Sequence, residues 1–461
     1  MRRAGRARAP RLRRRGLLPV AAGGVHRSQG RQDMTASTGI RGGFARSVAT
    51  TAACNVATAV ASGVAGILIA RALGPSLRGE YAAIMAWFAV VLVVGQLGQT
   101  AATTYFVARV PDRARDYLAT SRNLMVASGS VTLLAGIACA PLLAPEDDTV
   151  VLAYRLMFAT CLASFAGAGY VFALHAARLP RWNLVRIMQP LAFLAVVGVL
   201  HLSDELDLLT VAAALSATVV AQSILAYVLC RGLGLTGGRS ESALAAPMCR
   251  YGLSQLAGSV PAAITARLDQ IVLSFLAASA ALGNYAVAVS LTAIAVPLVA
   301  AFGNVAFPRL ASRVGAASRL DAMQRQTLLA SAAVGVVVTV PLVVLAPTLI
   351  PALFGPGYAE AIRLLWLLAP GGVLLACAQV GADLLRGHGR PLDVAQAQWI
   401  AAIVMIVLLV ALVPTWGAMG AAVASSAAAA TALLLMLRSL ARNSSAAEPE
   451  LATTELTRRT R

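Results

Sequence analysis

Long apolar segments follow one another along almost the whole chain, and this pattern constrains the fold more than any other feature. A helix needs about 20 apolar residues to cross the hydrocarbon core of a bilayer. The segments that meet this length lie at 46–70, 81–107, 120–143, 150–174, 184–202, 208–230, 248–276, 282–307, 327–353, 361–385, 394–413 and 417–437. The spacing therefore predicts about twelve transmembrane helices joined by short connections.

The composition agrees with a chain whose main solvent is lipid. Hydrophobic residues make up 59% of the sequence and charged residues only 12%. A soluble protein carries about 25% charged residues, so this chain has too few to cover a water-exposed surface. Backbone groups in lipid must be hydrogen-bonded internally. We therefore expect an all-α integral membrane protein.

The net charge of +19 is concentrated in arginine. All 38 basic residues are Arg, and ten of them lie in residues 1–33. The apolar patch at 17–22 is too short for a signal peptide, whose apolar core needs about 7–15 residues. We predict that 1–43 is a basic, disordered segment rather than a nucleic-acid-binding arm. Residues 1–33 are also open to interpretation as a mis-assigned start, because Met34 opens a more ordinary N-terminus.

Arginines recur in alternate loops. The loops after the second, fourth, sixth, eighth and tenth segments are rich in Arg, whereas the intervening loops are acidic or neutral. The first loop is an exception, with Arg71 and Arg78 against Glu80. Because cytoplasmic loops carry an excess of basic residues, the pattern predicts that both termini are cytoplasmic.

The second half of the chain repeats the first. A shift of 204 residues aligns 46–82 with 250–286 and pairs Gly79 with Gly283 and Tyr81 with Tyr285. We predict two pseudo-symmetric six-helix bundles in the same orientation, at 44–232 and 248–440. A cytoplasmic linker at 233–247 joins them, and a disordered cytoplasmic tail follows at 441–461. In transporters with such repeats, the site lies between the halves near mid-membrane.

Charged residues within or beside apolar segments are the candidate site residues, because each is costly in the bilayer. They are Arg267, Arg155, Arg46, Arg250, Asp269 and Asp383. In one interpretation the arginines line a path for an anionic substrate, since guanidinium binds phosphate in a bidentate manner. In the other, Arg267 or Arg155 forms an interhelical salt bridge with Asp269 or Asp383, and the remaining two arginines are interfacial anchors.

Motifs for catalysis, cofactors or metals are missing from the sequence. It has no G-x-x-x-x-G-K-[ST] motif, and its four histidines have no zinc-site spacing. The acids at 204–207 are read as solvated loop charges rather than a metal site. A membrane glycosyltransferase or ligase would need a large outer loop, and every connection here is short. We therefore predict a protein that is not an enzyme and that uses no metal or cofactor.

Several stretches resemble one known family. They are LIARALGPSLRGEYA (68–82), LDQIVLSFLAASAALGNYAVA (268–288), FPRLASR (307–313), LFGPGYAEAIRLLWLLAPG (353–371) and LLRGHGRP (384–391). The chain thereby resembles the Wzx-type polysaccharide exporters of the multidrug/oligosaccharidyl-lipid/polysaccharide superfamily, which includes the MATE transporters.

This resemblance implies two six-helix bundles in a MATE-like V around a central cavity. It implies a flippase in the bacterial plasma membrane that moves undecaprenyl-pyrophosphate-linked oligosaccharide to the outer leaflet, with Arg267 and Arg155 meeting the pyrophosphate. The implied partners are this lipid-linked oligosaccharide, the bilayer, and a polysaccharide polymerase or glycosyltransferases. The alternative is a MATE-like cation-coupled antiporter of drugs or small solutes, with Asp269 or Asp383 as its coupling acid.

Overall fold

The computed structural model describes residues 32–145, 147–296, 299, 317–388 and 390–459. Side chains are described between 50 and 442 within these ranges, except at 257 and 317–323. Contacts divide the chain into Met1–Ala49 and Thr50–Arg461, and all packing and side-chain contacts described below lie within the second unit. All regular structure in the described residues is helical, which confirms the predicted fold class.

The first half of the chain forms six labelled helices. They are α1 (Gln32–Gly95), α2 (Gln99–Arg109), α3 (Ala114–Leu143), α4 (Asp148–Ala177), α5 (Leu179–Leu202) and α6 (Leu208–Arg231). Helix α1 is broken at Gly74, whose φ of 68° is a left-handed conformation that favours glycine. The proline that follows cannot donate a helical hydrogen bond, so the break is encoded locally. The first two predicted segments therefore meet within α1.

Six more helices are labelled in the described part of the second half. They are α7 (Ser242–Thr265), α8 (Leu268–Leu276), α9 (Ser279–Thr292), α10 (Ala317–Phe354), α11 (Ala359–Gly387) and α12 (Pro391–Arg459). Helices α7 and α8 form one bent pair, with an angle of 44° at the break between them. Helix α12 is broken at Gly417, with φ 56°, between the last two predicted segments.

Eight helices in the described residues are long and apolar enough to cross a membrane, and the bent pair makes up to nine. Two of the eight, α1 and α12, are divided by their glycine breaks, so each contains two predicted segments. The predicted segment at 282–307 begins on α9, and its remainder lies largely outside the described residues. About twelve spans are thus compatible with the helices observed.

Each half has its own packing centre. Helix α4 contacts α2, α3, α5 and α6, and its Tyr154, Met157 and Phe165 are buried. Helix α11 contacts α9, α10 and α12. Large apolar side chains on the outward faces stay exposed, such as Leu134 and Val337, each 70% exposed. Such faces suit lipid, where an exposed apolar side chain has no hydration cost.

The ends of the chain differ from the sequence prediction. Helix covers residues 32–43 and 441–459, which we expected to be irregular. Both segments contain Ala and other residues that tolerate or favour helix, and helical segments flank them, so helical hydrogen bonding can continue through them. The prediction for residues 1–31 lies outside the described residues.

Candidate functional site

The two halves of the sequence meet where α1 crosses α9. Gly79 on α1 and Gly283 on α9 face each other at this crossing. A Cβ built on Gly79 would overlap the carbonyl of Ser279, and a Cβ built on Gly283 would overlap the carbonyl of Pro75. Each added Cβ would lie 3.1 Å from the backbone nitrogen of the opposite glycine. The contact is reciprocal between positions 204 residues apart, so the repeat has a structural counterpart.

Side chains near the crossing link α1 to α9, to α8 and to the turn before α11. The Ser279 hydroxyl donates a hydrogen bond to the Glu80 carboxylate. The rings of Trp87 and Phe275 meet edge to face with their centroids 6.3 Å apart. Tyr358, which precedes α11, donates its hydroxyl to the backbone oxygen of Ala70 at 2.7 Å. Backbone and side-chain contacts together hold α1 against elements of the second half.

Arg267 lies at the break between α7 and α8. In the sequence, α8 comes directly before α9, the helix that α1 crosses. It occupies the N-cap position of α8 with φ −137° and ψ −12°, so the backbone leaves the helical path at this residue. Its side chain is half-buried. Within the described part of the chain, it has no carboxylate at ion-pair distance. Arg267 is therefore a cation inside a membrane helix pair with no direct counter-ion.

Asp269 is not the counter-ion of Arg267. Its Oδ2 accepts hydrogen bonds from the Tyr285 hydroxyl at 2.5 Å and the Ser425 hydroxyl at 2.9 Å. Its Oδ1 accepts from the Gln270 backbone N–H at 2.8 Å. Arg267 interacts with this carboxylate only through longer-range electrostatics. The alternative in which Asp269 forms an interhelical salt bridge is therefore wrong, because neutral donors from α8, α9 and α12 occupy the carboxylate.

Asp383 is paired locally. Arg386, one turn later on α11, donates to it at 2.9 Å. The predicted salt bridge of Asp383 with Arg267 or Arg155 is thus wrong as well. Arg155 on α4 and Arg250 on α7 are exposed and form no ion pair in the described residues. The side chain of Arg46 lies outside the described residues. Of the six predicted site residues, the observed contacts bring only Arg267 and Asp269 close to each other.

Arg78 is a site candidate that the sequence analysis did not select. It follows the Gly74 break and is half-buried, and its Nε is inaccessible and has no hydrogen-bond partner. Its Cζ lies 5.3 Å from the centre of the Tyr81 ring. A signal was present in the sequence, because Arg78 belongs to the one loop that breaks the alternation of charge.

A second contact between the halves joins α2 and α7. Gly98 and Gly252 approach very closely. A Cβ built on Gly98 would overlap the carbonyl of Gly252, and a Cβ built on Gly252 would overlap the carbonyl oxygen of Leu97. Next to them, the rings of Tyr105 and Tyr251 stack with centroids 4.5 Å apart. The α2–α7 contact thus resembles the crossing in its use of glycine.

The predicted linker is docked against the start of α3. Arg113 pairs with Glu241 at 2.6 Å, and the Arg239 N–H donates to Asp116 at 3.0 Å. The Glu241 N–H donates to the Thr120 hydroxyl at 3.1 Å. These bonds extend the α2–α7 contact to the segment that connects the halves. Clusters of His, Cys, Asp or Glu that could hold a metal ion are not found in the residues that the structure describes.

Solved structures share this fold at low sequence identity. A structure titled "Lipid II flippase MurJ, inward closed conformation" has a TM-score of 0.72 and 12% identity, with 85% of this chain and 87% of that chain covered. An inward-facing multidrug resistance MATE family transporter of the MOP superfamily has a TM-score of 0.69 and 13% identity, with 85% and 96% covered. An outward-facing transporter of that description has a TM-score of 0.59 and 12% identity over the same shares.

Comparisons of the sequence identify a family. A search of curated proteins finds no match. The family described as "Polysaccharide biosynthesis protein" matches residues 44–314. This range includes α2 to α9, both glycine contacts, Arg78, Arg267 and Asp269. Because the match covers more than half of the chain, the protein belongs to the polysaccharide biosynthesis protein family.

Proposed function

We propose that this protein is a flippase that moves undecaprenyl-pyrophosphate-linked oligosaccharide, or a similar anionic lipid-linked sugar, from the inner to the outer leaflet. The observation that carries the proposal is Arg267, a half-buried cation at a break in a membrane helix pair with no described ion-pair partner. A membrane protein retains such a charge at considerable cost unless a ligand uses it. A pyrophosphate supplies the negative charge and the acceptor oxygens that guanidinium binds best.

Membership of a polysaccharide biosynthesis family supports a substrate that carries sugar. A sugar-phosphate head cannot cross hydrocarbon unaided, so it needs a polar path through the protein. The repeat and the glycine crossing support movement of one half against the other. A close contact between two backbones at glycine can part and re-form without a change of side-chain rotamer at the two glycines. We infer alternating access of this kind.

The proposal includes an orientation and a cellular context. The arginine-rich loops support cytoplasmic termini and a cytoplasmic linker, in the bacterial plasma membrane. A polysaccharide polymerase and glycosyltransferases are the proposed partners, since they would use the flipped product and supply the substrate. Arg155, Arg46 and Arg250 remain predicted contacts of the anionic head.

A cation-coupled antiporter of drugs or small solutes is the second candidate. The observation that favours it is Asp269, a carboxylate that is only 5% exposed within a membrane helix pair. Its neutral donors on α9 and α12 could form part of a site that exchanges a cation. This candidate would use Asp269 for coupling and would not need Arg267 to meet an anion.

Deletion of the gene separates the two candidates. The flippase proposal expects lipid-linked oligosaccharide to accumulate on the inner leaflet and surface polysaccharide to fall. The amount on each leaflet is measured by labelling the accessible lipid-linked oligosaccharide in inverted and in right-side-out membrane vesicles. The antiporter candidate expects unchanged oligosaccharide and greater sensitivity to cationic dyes, and that pair of results would overturn the flippase proposal.

The Arg267→Ala variant tests the observation that carries the proposal. We expect it to abolish export at an unchanged level of protein in the membrane. Arg363→Ala, at an exposed arginine of α11, is the matched control and should export normally. Full export by Arg267→Ala would assign Arg267 a structural role.

A further inference from the structure

The segment that connects α6 to α7 is packed as part of the first half. The side chains of Leu233 and Leu235 lie against an apolar cluster of that half. The backbone N–H groups of the same two residues donate to the Cys230 carbonyl near the end of α6. A connection between domains with few contacts is flexible. These contacts instead fix the segment to the half from which it emerges.

Further along the segment, its backbone lies directly on the start of α3. A Cβ built on Gly238 would overlap the Arg115 carbonyl and would lie 2.7 Å from the Asp116 nitrogen. The next residue, Arg239, donates its N–H to the Asp116 carboxylate at 3.0 Å. The absence of a side chain at Gly238 therefore permits this close approach of two backbones.

Glu241 is the last residue before α7, and it forms two bonds to α3. Its N–H donates to the Thr120 hydroxyl at 3.1 Å, and its Oε2 accepts from Arg113 at 2.6 Å. Thr120 is buried. Helix α7 begins at the next residue, Ser242. The first turn of α7 is thus attached to the first half with no free chain between them.

The bonds of Glu241 are the part of this connection that can be released most easily. The side chains of Arg113 and Glu241 are 44% and 40% exposed, so water can replace either partner. An ion pair with this exposure contributes little net stability, because its bonds are exchanged for bonds to water. Release of Leu233 and Leu235 would instead expose apolar surface. Separation of α7 from the first half therefore begins at Glu241.

We infer that the bonds of Arg239 and Glu241 to α3 form a latch, that the latch holds the α2–α7 contact closed, and that its release opens the protein on the side of the linker. The helix that starts after Glu241 also carries Gly252, so displacement of its first turn is transmitted to the contact with Gly98. While the latch is closed, movement of the halves is confined to the α1–α9 crossing. The inference rests on the proposed function for one point, namely that the linker side is cytoplasmic and admits substrate from the inner leaflet.

The thiol of Cys249 can report on the contact that the latch holds. It is half-buried, one turn before Gly252, and its sulfur lies 3.9 Å from Nε2 of Gln99 on α2. Cys54 and Cys139 are replaced by serine, and the other three cysteines are buried. A membrane-impermeant maleimide is then added to inverted vesicles that contain the full-length protein. Because only an accessible thiol reacts, the rate of labelling at Cys249 follows the population that is open.

The Glu241→Ala variant removes the side-chain bond of the latch. We expect Cys249 to be labelled about two- to fivefold faster, which is the change that loss of an exposed ion pair produces in an equilibrium. Glu360→Ala, at an exposed acid in the first turn of α11, is the matched control and should be labelled at the unmodified rate. An unchanged rate in Glu241→Ala would overturn the inference.

Exchange of the two charges separates pairing from a general loss of structure. Arg113→Glu and Glu241→Arg each place like charges together, so each single variant should be labelled faster than the unmodified protein. The variant with both exchanges restores opposite charges and should return most of the way to the unmodified rate. Labelling of this combined variant as fast as that of the single variants would contradict the latch.

A disulfide across the latch tests whether the latch must open. Cysteines are placed at Thr120 and Glu241, whose hydroxyl and N–H are in contact, and are joined by oxidation. We expect the oxidised protein to be labelled at Cys249 more slowly than the same protein after reduction. Equal rates would mean that α7 turns about this point while it stays attached, and the latch would be wrong.

Failure of the inference differs from failure of the proposed function. Labelling needs no substrate, so the latch is tested whichever compound is transported. If Glu241→Ala speeds labelling only in right-side-out vesicles, the latch stands and the cytoplasmic position of the linker is overturned. If Glu241→Ala has no effect while gene deletion causes lipid-linked oligosaccharide to accumulate, the flippase proposal stands and the latch is overturned.

Discussion

At the scale of single residues, Asp269 shows how a membrane helix holds a carboxylate. Three neutral donors surround it, namely the hydroxyls of Tyr285 and Ser425 and the N–H of Gln270. The two hydroxyls also lie 3.1 Å from each other. Because these donors come from α8, α9 and α12, the carboxylate joins three helices of the second half. Linking these helices is a structural role, and it does not require the Asp269 carboxylate to change its protonation state.

This role predicts different results for two substitutions. Asp269→Ala leaves two buried hydroxyls without their acceptor, so we expect a loss of about 1–3 kcal/mol in the free energy of unfolding. Asp269→Asn can exchange hydrogen bonds with both hydroxyls and should keep most of the stability and the export. Thermal unfolding and export assays measure the two effects. An Asp269→Asn protein that is fully stable but does not export would instead show that transport needs an ionisable group there.

At the scale of helices, the acids at 147 and 207 have a local task. The Asp147 side chain accepts from the Thr149 and Val150 N–H groups at the start of α4. Asp207 and Thr210 form a reciprocal capping box at the start of α6. A helix leaves its first N–H groups unsatisfied, and such side chains complete them. Helix capping is thus a structural role for these two acidic side chains that involves no ligand.

Removal of one cap should weaken the protein without affecting transport by folded molecules. For Asp207→Ala we expect a loss of about 1 kcal/mol in stability, measured as a lower melting temperature. Asp207→Ser retains a capping oxygen and serves as the control. If Asp207→Ala lost export at unchanged stability, Asp207 would have a role beyond capping.

The α1–α9 crossing makes a prediction for its two helices. An alanine at Gly79 would place a Cβ against backbone that cannot move aside, so we expect the closed crossing to lose about 1–3 kcal/mol. Export should fall by about tenfold or more as the populations shift. Gly66→Ala is the control on the same helix, since its added Cβ meets nothing within 4 Å. Equal export by both variants would mean that the crossing does not need its backbone contact.

At the scale of the whole molecule, close contacts between glycines join the halves at two places in the described part of the chain. The crossing joins α1 to α9, and the α2–α7 contact lies beside the docked linker. Movement of one half against the other must open at least one of these contacts. The crossing is the better candidate, because no bond of the linker spans it in the described part of the chain. The linker bonds instead hold the α2–α7 contact together.

A reversible crosslink at the crossing tests this movement. Cysteines at Glu80 and Ser279, whose side chains touch, should form a disulfide under oxidation and stop export. Reduction should restore export to the level before oxidation. The variants with a single added cysteine are the controls and should be insensitive to oxidation. Continued export by the crosslinked protein would show that the crossing stays closed during transport.

The sequence alone was sufficient for the class of fold and for most helices. Apolar length located the segments, and the 204-residue repeat picked out Gly79 and Gly283 before their contact was seen. Both signals are local or periodic in the sequence, so they can be recognised without knowing which residues are in contact in the folded protein. The partners of Asp269 and Asp383 could not be predicted in this way. Ser425 lies 156 residues from Asp269, and nothing in either segment specifies that pairing.

The sequence by itself determined that this chain is a membrane protein of two similar helical halves with arginines inside, because lipid imposes apolar length and hydrogen-bonded backbone on any spanning segment. Only the tertiary structure decided which charges are satisfied. Neutral donors occupy the Asp269 carboxylate, which one alternative had paired with an arginine. Arg78, an outlying loop charge in the sequence, is half-buried with an inaccessible Nε. The free energy of a buried charge depends on atoms within a few ångströms, and helix packing chooses those atoms.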